Sequence, residues 1–159
     1  HSKAADGSVD AHRPLAGQGL ADARAIGRWL AGQGIAPDRV VLSPAQRAVQ
    51  TWDLAGAEIA DAPSPMVDTR LYENAIEALL DVVRETFVGV AVLALVGHSP
   101  SVEELAHYLD DGRGESAARQ QMTQKYPTSA VAIFDLSAPW AEVGAGAGTL
   151  CAFVTPRGR

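Results

Sequence analysis

Apolar side chains recur at helical spacing in several segments of the chain, and shorter runs that are apolar throughout separate these segments. The segments with helical spacing are 14–35, 45–59, 75–87 and about 101–110. The second begins after Ser43-Pro44, a pair typical of a turn into a helix. Gly32 or Gly34 is expected to end the first. The pattern therefore predicts helices at these four places.

The shorter apolar runs predict strands that alternate with the helices. They lie at 38–44, 66–68, 91–96, 130–136 and 149–155. The run 91–96 is so continuously apolar that a fully buried strand is expected there, whereas the polar segment 110–128 predicts a loop with some helix. Strands that alternate with helices predict an α/β fold, here a single three-layer α/β/α domain. Its central sheet is expected to be mostly parallel, with the last two strands as an antiparallel edge.

The composition of the chain mainly excludes classes of function. The chain of 159 residues is long enough for one domain with a proper core and too short for two large ones. A net charge of −6 argues against general nucleic-acid binding. No membrane-spanning run or signal peptide is visible, so we expect a cytoplasmic protein that does not bind membranes. The single cysteine, Cys151, has no metal-ligand spacing around it, and no metal or other cofactor is predicted.

The stretch after the run 91–96, Gly97-His98-Ser99-Pro100-Ser101, contains two candidate catalytic side chains. Its beginning resembles the G-x-S-x-G turn of α/β-hydrolases, in which the serine is the nucleophile. However, Ser101 stands where that turn needs glycine, and Pro100 has no backbone N–H for an oxyanion hole. The only later histidine, His107, follows on the same predicted helix, too near in sequence to complete a triad. We therefore favour His98 over Ser99 as the working residue.

Basic and imidazole side chains follow two of the predicted strands, at the carboxyl end of each. Arg47 lies in the first turn of the helix after the first strand, and His98 directly follows the run 91–96 and Gly97. The carboxyl ends of parallel strands meet at one edge of a sheet, where helix N-termini favour anions. His1 and Arg13 lie in a polar loop before the first helix. Because guanidinium groups bind phosphate oxygens in a fork and a neutral imidazole can attack phosphorus, this set predicts a phosphate site.

Six motifs resemble, in their order along the chain, the histidine phosphatase superfamily and within it the short SixA-type phosphohistidine phosphatases. They are HSKA, HRPL, LSPAQRAVQT, LYE, VGHSP and KYPTSAVAIFDL. The S-P-x-x-R-A-x-x-T block and the Gly-His pair at a strand end are specific in combination, although each is weak alone. The resemblance covers essentially the whole chain. It implies a phosphoglycerate mutase-like fold and a phosphatase that needs no metal.

The resemblance also implies roles for single residues. His1 matches the phosphate-accepting histidine of that family, which follows an arginine at the end of the first central strand. Arg47 and His98 match the phosphate-binding arginine and the second catalytic histidine, and Glu73 matches the position where many members carry a proton donor. Substrate binding is assigned to Arg13, which matches an arginine of the SixA-type pocket, and to Ser99.

The arginine and the strand that precede the phosphate-accepting histidine in that family would fall before His1. We therefore expect a single histidine phosphatase domain over residues 1–159 that lacks its first central strand in this sequence. An empty slot in a sheet would leave backbone groups unpaired, at about 1–3 kcal/mol for each one buried. For this reason we favour a strand that exists outside the sequence over a domain without it. A residue left from a purification tag is the alternative interpretation of His1.

Four other assignments also have structural alternatives. They are a solvated helix arginine at Arg47, a helix-capping or core histidine at His98, a surface carboxylate at Glu73 and a structural loop arginine at Arg13.

The expected reaction is phosphoryl transfer to His1, followed by hydrolysis of the phosphohistidine by water. Arg47 and His98 would stabilise the phosphoryl oxygens as charge builds on them. The chain has no large insertion that could close over a metabolite, so phosphohistidine on a protein partner is the favoured substrate. A small phosphomonoester is the alternative substrate. A mutase-type phosphotransferase and a non-catalytic phosphate-binding domain are the competing functions.

Overall fold

The computed structural model describes residues 10–156, which form two compact units. Unit 1 runs to Glu73 and also includes Val90–Gly97, and unit 2 comprises Asn74–Gly89 and the chain from His98 onward. His1, the predicted phosphate acceptor, lies outside the described residues. Each unit is therefore described by itself.

The described residues of unit 1 form a parallel three-stranded sheet, two α-helices and two short 3-10 helices. Its elements are α1 (Gly17–Gly32), β1 (Arg39–Leu42), α2 (Gln46–Gly56), β2 (Met66–Val67) and β3 (Leu93–Val96). The strand order is β2-β1-β3, and β1 pairs in parallel with both neighbours. The alternation of helices and strands seen in the sequence is thus present, with the boundaries shortened by one to three residues at most ends.

How deeply the residues of a strand are buried depends on the position of that strand in the sheet. Val40 and Leu42 of the central strand β1 are completely buried, and they form a core cluster with Trp52 of α2 and with Ile59. By contrast, all four residues of β3 are only half-buried. The expectation of a fully buried strand at 91–96 is therefore wrong, because β3 is hydrogen-bonded on one side only in the described sheet.

Helices α1 and α2 pack against each other through small residues. Gly27 of α1 lies so close to α2 that a Cβ at this position would come within 2.3 Å of the carbonyl oxygen of Ala55. Only glycine allows the two backbones to approach this closely. The contact fixes α2, and with it the first turn of α2, against the rest of unit 1.

Unit 2 combines three helices with an antiparallel pair of strands. Its elements are α3 (Ile76–Arg84), α4 (Ser101–Leu109), α5 (Ser116–Gln124), β4 (Val131–Leu136) and β5 (Gly148–Val154). Met122 of α5 packs with Leu150 and Phe153 of β5 in the core of the unit. The predicted polar loop at 110–128 therefore contains a nine-residue helix whose buried face is part of this core. The last two strands are antiparallel, as predicted, but in the described residues they form a two-stranded sheet of their own, so the expectation that they are an edge of the parallel sheet is wrong.

Two further observations apply to the described residues. No helix between residues 10 and 156 is both long and apolar enough to cross a membrane. The same part of the chain contains no group of three or more His, Cys, Asp or Glu side chains that could hold a metal ion.

Candidate phosphate site

Arg47 is positioned by the turn between β1 and α2. Ser43 is completely buried directly after β1, and its hydroxyl oxygen accepts a hydrogen bond from the backbone N–H of Ala45 at 3.2 Å. This bond closes the turn, so that α2 begins at Gln46 and Arg47 falls in its first turn. The side chain thus lies beyond the carboxyl end of the central strand, as the sequence predicts.

The guanidinium of Arg47 binds one residue through two of its nitrogens. Nη1 donates to the backbone carbonyl of Asp10 at 2.8 Å, and Nη2 donates to the Oδ2 atom of the same residue at 3.0 Å. Two hydrogen bonds to one residue fix both the position and the plane of the guanidinium. Asp10 begins a short 3-10 helix, Asp10–His12, that precedes α1.

Three side chains from three segments of the chain meet on the Asp10 carboxylate. Arg13 Nη2 binds Oδ1, and the Tyr72 hydroxyl donates to Oδ2 at 3.0 Å, where Arg47 also binds. These donors hold the pKa of Asp10 below its usual range, with the bond from Arg47 as the largest cause. The hydrogen bond from the Tyr72 hydroxyl to Asp10 in turn raises the pKa of Tyr72, because this bond is lost when the phenol ionises. We call Asp10, Arg13, Arg47 and Tyr72 the Asp10 cluster.

Asp10 is a candidate site residue that the sequence motifs did not indicate. The sequence offered one indication of its contact with Arg13. Asp10 lies three residues before Arg13, and side chains three apart can meet in a helical turn. The pairing with Arg47 spans 37 residues and has no local signature. Two guanidiniums on one carboxylate give a net positive cluster, which suits an additional anion.

Glu73, the predicted proton donor, is an exposed residue directly after Tyr72. It follows the 3-10 helix Thr69–Leu71, which begins where Asp68 accepts a hydrogen bond from the backbone N–H of Arg70 at 2.9 Å. The Asp68 carboxylate also binds the side chain of Arg70, and this contact lowers the pKa of Asp68. The segment before Glu73 is therefore held in place by local bonds.

His98 and Ser99 belong to the turn that leads into α4. His98 follows β3 after Gly97 and is half-buried, whereas Ser99 is exposed. The His98 carbonyl accepts hydrogen bonds from the Val102 N–H at 3.1 Å and from the Ser101 hydroxyl at 3.0 Å. The backbone of His98 is thereby joined to the first turn of α4. Pro100 follows Ser99, so the N–H that an α/β-hydrolase would use is absent here.

A second residue that sequence analysis missed, Asn74, binds the same turn. Its side chain donates to the Ser99 carbonyl at 3.0 Å and accepts from the Ser101 N–H at 3.1 Å. Of the predicted site residues, the structure brings Arg13 and Arg47 together through Asp10, and His98 and Ser99 together in one turn.

Comparisons with known proteins agree with this chemistry. Residues 2–85 match the histidine phosphatase superfamily (branch 1). The chain is 33% identical over 121 residues to the phosphohistidine phosphatase SixA of Escherichia coli, covering 70% of this chain and 71% of that protein.

Two solved structures are similar over nearly the whole chain. A structure described as a phosphohistidine phosphatase SixA from Nakamurella multipartitia has a TM-score of 0.84 at 25% identity, covering 99% of this chain and 93% of that one. The protein histidine phosphatase SixA complexed with tungstate has a TM-score of 0.71 at 28% identity, covering 96% and 90%. The α/β fold of phosphoglycerate mutase type that the sequence predicts is confirmed.

Proposed function

This chain belongs to the histidine phosphatase superfamily and is a phosphatase, and we propose that its substrate is phosphohistidine on a protein partner. The family resemblance inferred from the sequence motifs is confirmed. The protein partner, the roles of individual residues and a cytoplasmic location are parts of the proposal.

The observation that carries the proposal is the Asp10 cluster. Arg13 and Arg47 come from different elements and converge on a single carboxylate beyond the end of β1. Two hydrogen bonds to Asp10 orient the Arg47 guanidinium, and an oriented guanidinium is the group that binds phosphate oxygens in a fork. The SixA structure with tungstate, a tetrahedral oxyanion, supports a site for a phosphoryl group of similar shape.

In the proposed reaction the His1 imidazole attacks phosphorus. A bond forms between the imidazole nitrogen and phosphorus while the bond from phosphorus to the leaving group breaks. Water then cleaves the phosphohistidine, releasing phosphate and restoring His1. Arg13, Arg47 and His98 donate hydrogen bonds to the phosphoryl oxygens, whose charge is greatest in the transition state. Glu73 is the proposed proton donor to the leaving group.

The preference for a protein substrate rests on the absence of a lid in the described chain. The one long polar segment, 110–128, contains α5, and Ala118 and Met122 of this helix are buried against β5. This segment is therefore packed into unit 2 and is not a flap that could close over a metabolite. An open site suits a phosphoryl group displayed on the surface of another protein.

The test compares kcat/KM for a phosphohistidine-carrying phosphotransfer protein, several sugar phosphates and phosphoserine peptides. We expect the phosphohistidine protein to be the best substrate and Arg47→Ala to lower activity strongly on all of them. Arg28→Ala is the matched control, because Arg28 is an exposed helix arginine of the same unit that pairs with Glu58. A preference for a small phosphate ester that Glu73→Gln abolishes would instead identify a metabolite phosphatase.

A further inference from the structure

We propose that Asn74 is a positioning residue for His98. It holds the turn that carries His98 through two side-chain hydrogen bonds and thereby fixes the imidazole for the reaction. The inference rests on the proposed function, in which His98 binds a phosphoryl oxygen.

The carboxamide of Asn74 bonds on both sides of Pro100. Its Nδ2 donates to the carbonyl of Ser99, and its Oδ1 accepts from the N–H of Ser101. These partners lie 25 and 27 residues further along the chain, so the bonds join separate segments of unit 2. The turn is therefore held at the residue directly after His98 and again at the start of α4.

Ser101 links this contact to His98. Its backbone N–H is held by Asn74, and its hydroxyl donates to the His98 carbonyl at 3.0 Å. Ser101 is completely buried, so neither bond is exchanged easily for one to water. A shift of Ser101 would therefore move the carbonyl of His98 with it.

The residue type and the backbone conformation at Asn74 both fit this role. Its φ is 59°, in the left-handed region that asparagine tolerates better than most residues with a side chain. A carboxamide supplies one donor group and one acceptor, as the turn requires. Aspartate would keep the acceptor and lose the donor. Glycine would keep the backbone conformation and lose both bonds.

These differences define the variants of the test. Asn74→Gly removes the side-chain bonds without backbone strain, and Asn74→Asp keeps only the bond from Ser101. Asp61→Gly is the matched control, because Asp61 is an exposed unit 1 residue with a φ of 54°. Each variant is assayed for kcat and KM on a phosphohistidine protein and on an aryl phosphate, and its thermal unfolding midpoint is measured. The imidazole NMR signal of His98, assigned by its loss in His98→Gln, is recorded without substrate.

We expect Asn74→Gly to lower kcat by roughly 10–100-fold, the scale of a displacement of about 1 Å at a reacting group. KM should change much less than kcat, and the His98 signal should shift. Asn74→Asp should give a smaller loss of kcat, and Asp61→Gly should match the wild type in kcat and in the His98 signal. An unfolding midpoint of Asn74→Gly close to that of Asp61→Gly would separate positioning from a general loss of stability.

Two results would overturn the inference. One is an Asn74→Gly variant with the wild-type kcat and an unshifted His98 signal. The other is that both Asn74 variants lose activity only to the extent that their unfolding midpoint is lowered. If the wild-type protein hydrolyses none of the phosphates, the proposed function fails. The His98 signal still decides whether Asn74 positions the imidazole.

Discussion

Arg47 in unit 1 and His98 in unit 2 are expected to bind the same kind of ligand, but they are held in place by different chemistry. Arg47 is held by the carboxylate and carbonyl of Asp10, a residue whose side chain is 47% exposed. The turn of His98 is held by the neutral carboxamide of Asn74 and by the hydroxyl of Ser101. An ion pair exposed to water weakens with salt and with protonation of the carboxylate. Hydrogen bonds made by a neutral carboxamide respond neither to salt nor to pH over the usual range. The two regions should therefore differ in how they respond to mutation, salt and pH.

The largest effect is expected from removing Arg47 itself. Arg47→Ala should lower kcat by about 10²–10³-fold, since a charged donor to the transition state is lost. Vanadate, which resembles that transition state, should bind correspondingly more weakly. The measurements are turnover of an aryl phosphate and a vanadate titration, with Arg28→Ala as the control. Equal vanadate affinity in Arg47→Ala and the wild type would remove Arg47 from the site.

In unit 2, the comparison of His98 with Ser99 gives the next largest effect. His98→Ala should lower kcat roughly 10²-fold while the unfolding midpoint is retained. Ser99→Ala should change little, because the exposed Ser99 contributes its backbone carbonyl to Asn74 and the substitution leaves that carbonyl in place. If Ser99→Ala were inactive and a fluorophosphonate labelled the protein, a serine nucleophile would have to be reconsidered.

The difference between the two regions also explains which parts of the fold the sequence could predict. Helices such as α2 and strands such as β1 were located from apolar periodicity and turn residues, which act within a few positions. The burial of β3 was predicted wrongly because it depends on which strands flank it, and an apolar run does not specify its neighbours. Likewise, the sequence predicted only some helix in the polar segment that contains α5. Most residues of α5 are polar, and only two of its side chains, Ala118 and Met122, are buried.

In the candidate site, Arg47 and His98 could be proposed from the sequence because each lies in a local motif after a strand. Asp10 and Asn74 were missed because their partners lie 37 and at least 25 residues away. Asparagine beside Glu73 was a weak signal, since it is one of the few residues that adopt a left-handed backbone readily. Positioning residues are harder to predict than ligand-binding residues, because their spacing follows the tertiary fold.

Removing the Asp10 carboxylate should have a smaller effect than removing Arg47 or His98, the two proposed phosphate-binding residues. Asp10→Asn keeps the shape and the backbone carbonyl that binds Arg47, and it loses only an ion pair that is exposed to water and therefore weak. We expect roughly 2–5-fold weaker vanadate binding and a smaller difference from the wild type at high salt. Stronger vanadate binding in Asp10→Asn would show that the carboxylate competes with the ligand. The positioning interpretation would then be wrong.

The pH dependence of this effect has a definite sign. Because the folded protein holds the pKa of Asp10 below 3.8, the carboxylate contributes its stability above that value. This contribution is lost as the pH falls through the lowered pKa. The difference between the wild type and Asp10→Asn in unfolding midpoint should therefore disappear in strong acid and persist at neutral pH. The matched measurement on Asn74→Gly should show no such acid-dependent change in its difference from the wild type.

The smallest effect is expected in unit 2 at Tyr126, and it concerns alkaline rather than acidic pH. Its ring packs edge-on against Phe153 with centroids 5.1 Å apart, and burial, followed by the charge of Glu103, raises the pKa of Tyr126 to about 12. The protonated phenol therefore contributes stability that is complete below pH 10, the ordinary pKa of tyrosine, and is lost as the pH rises toward 12.

Tyr126→Phe keeps the ring contact and removes the ionisable group. We expect the variant to match the wild type near pH 7 and to unfold less readily between pH 10 and 12, as followed by circular dichroism. An identical alkaline transition in the two proteins would show that ionisation of Tyr126 does not limit the stability of unit 2 at high pH.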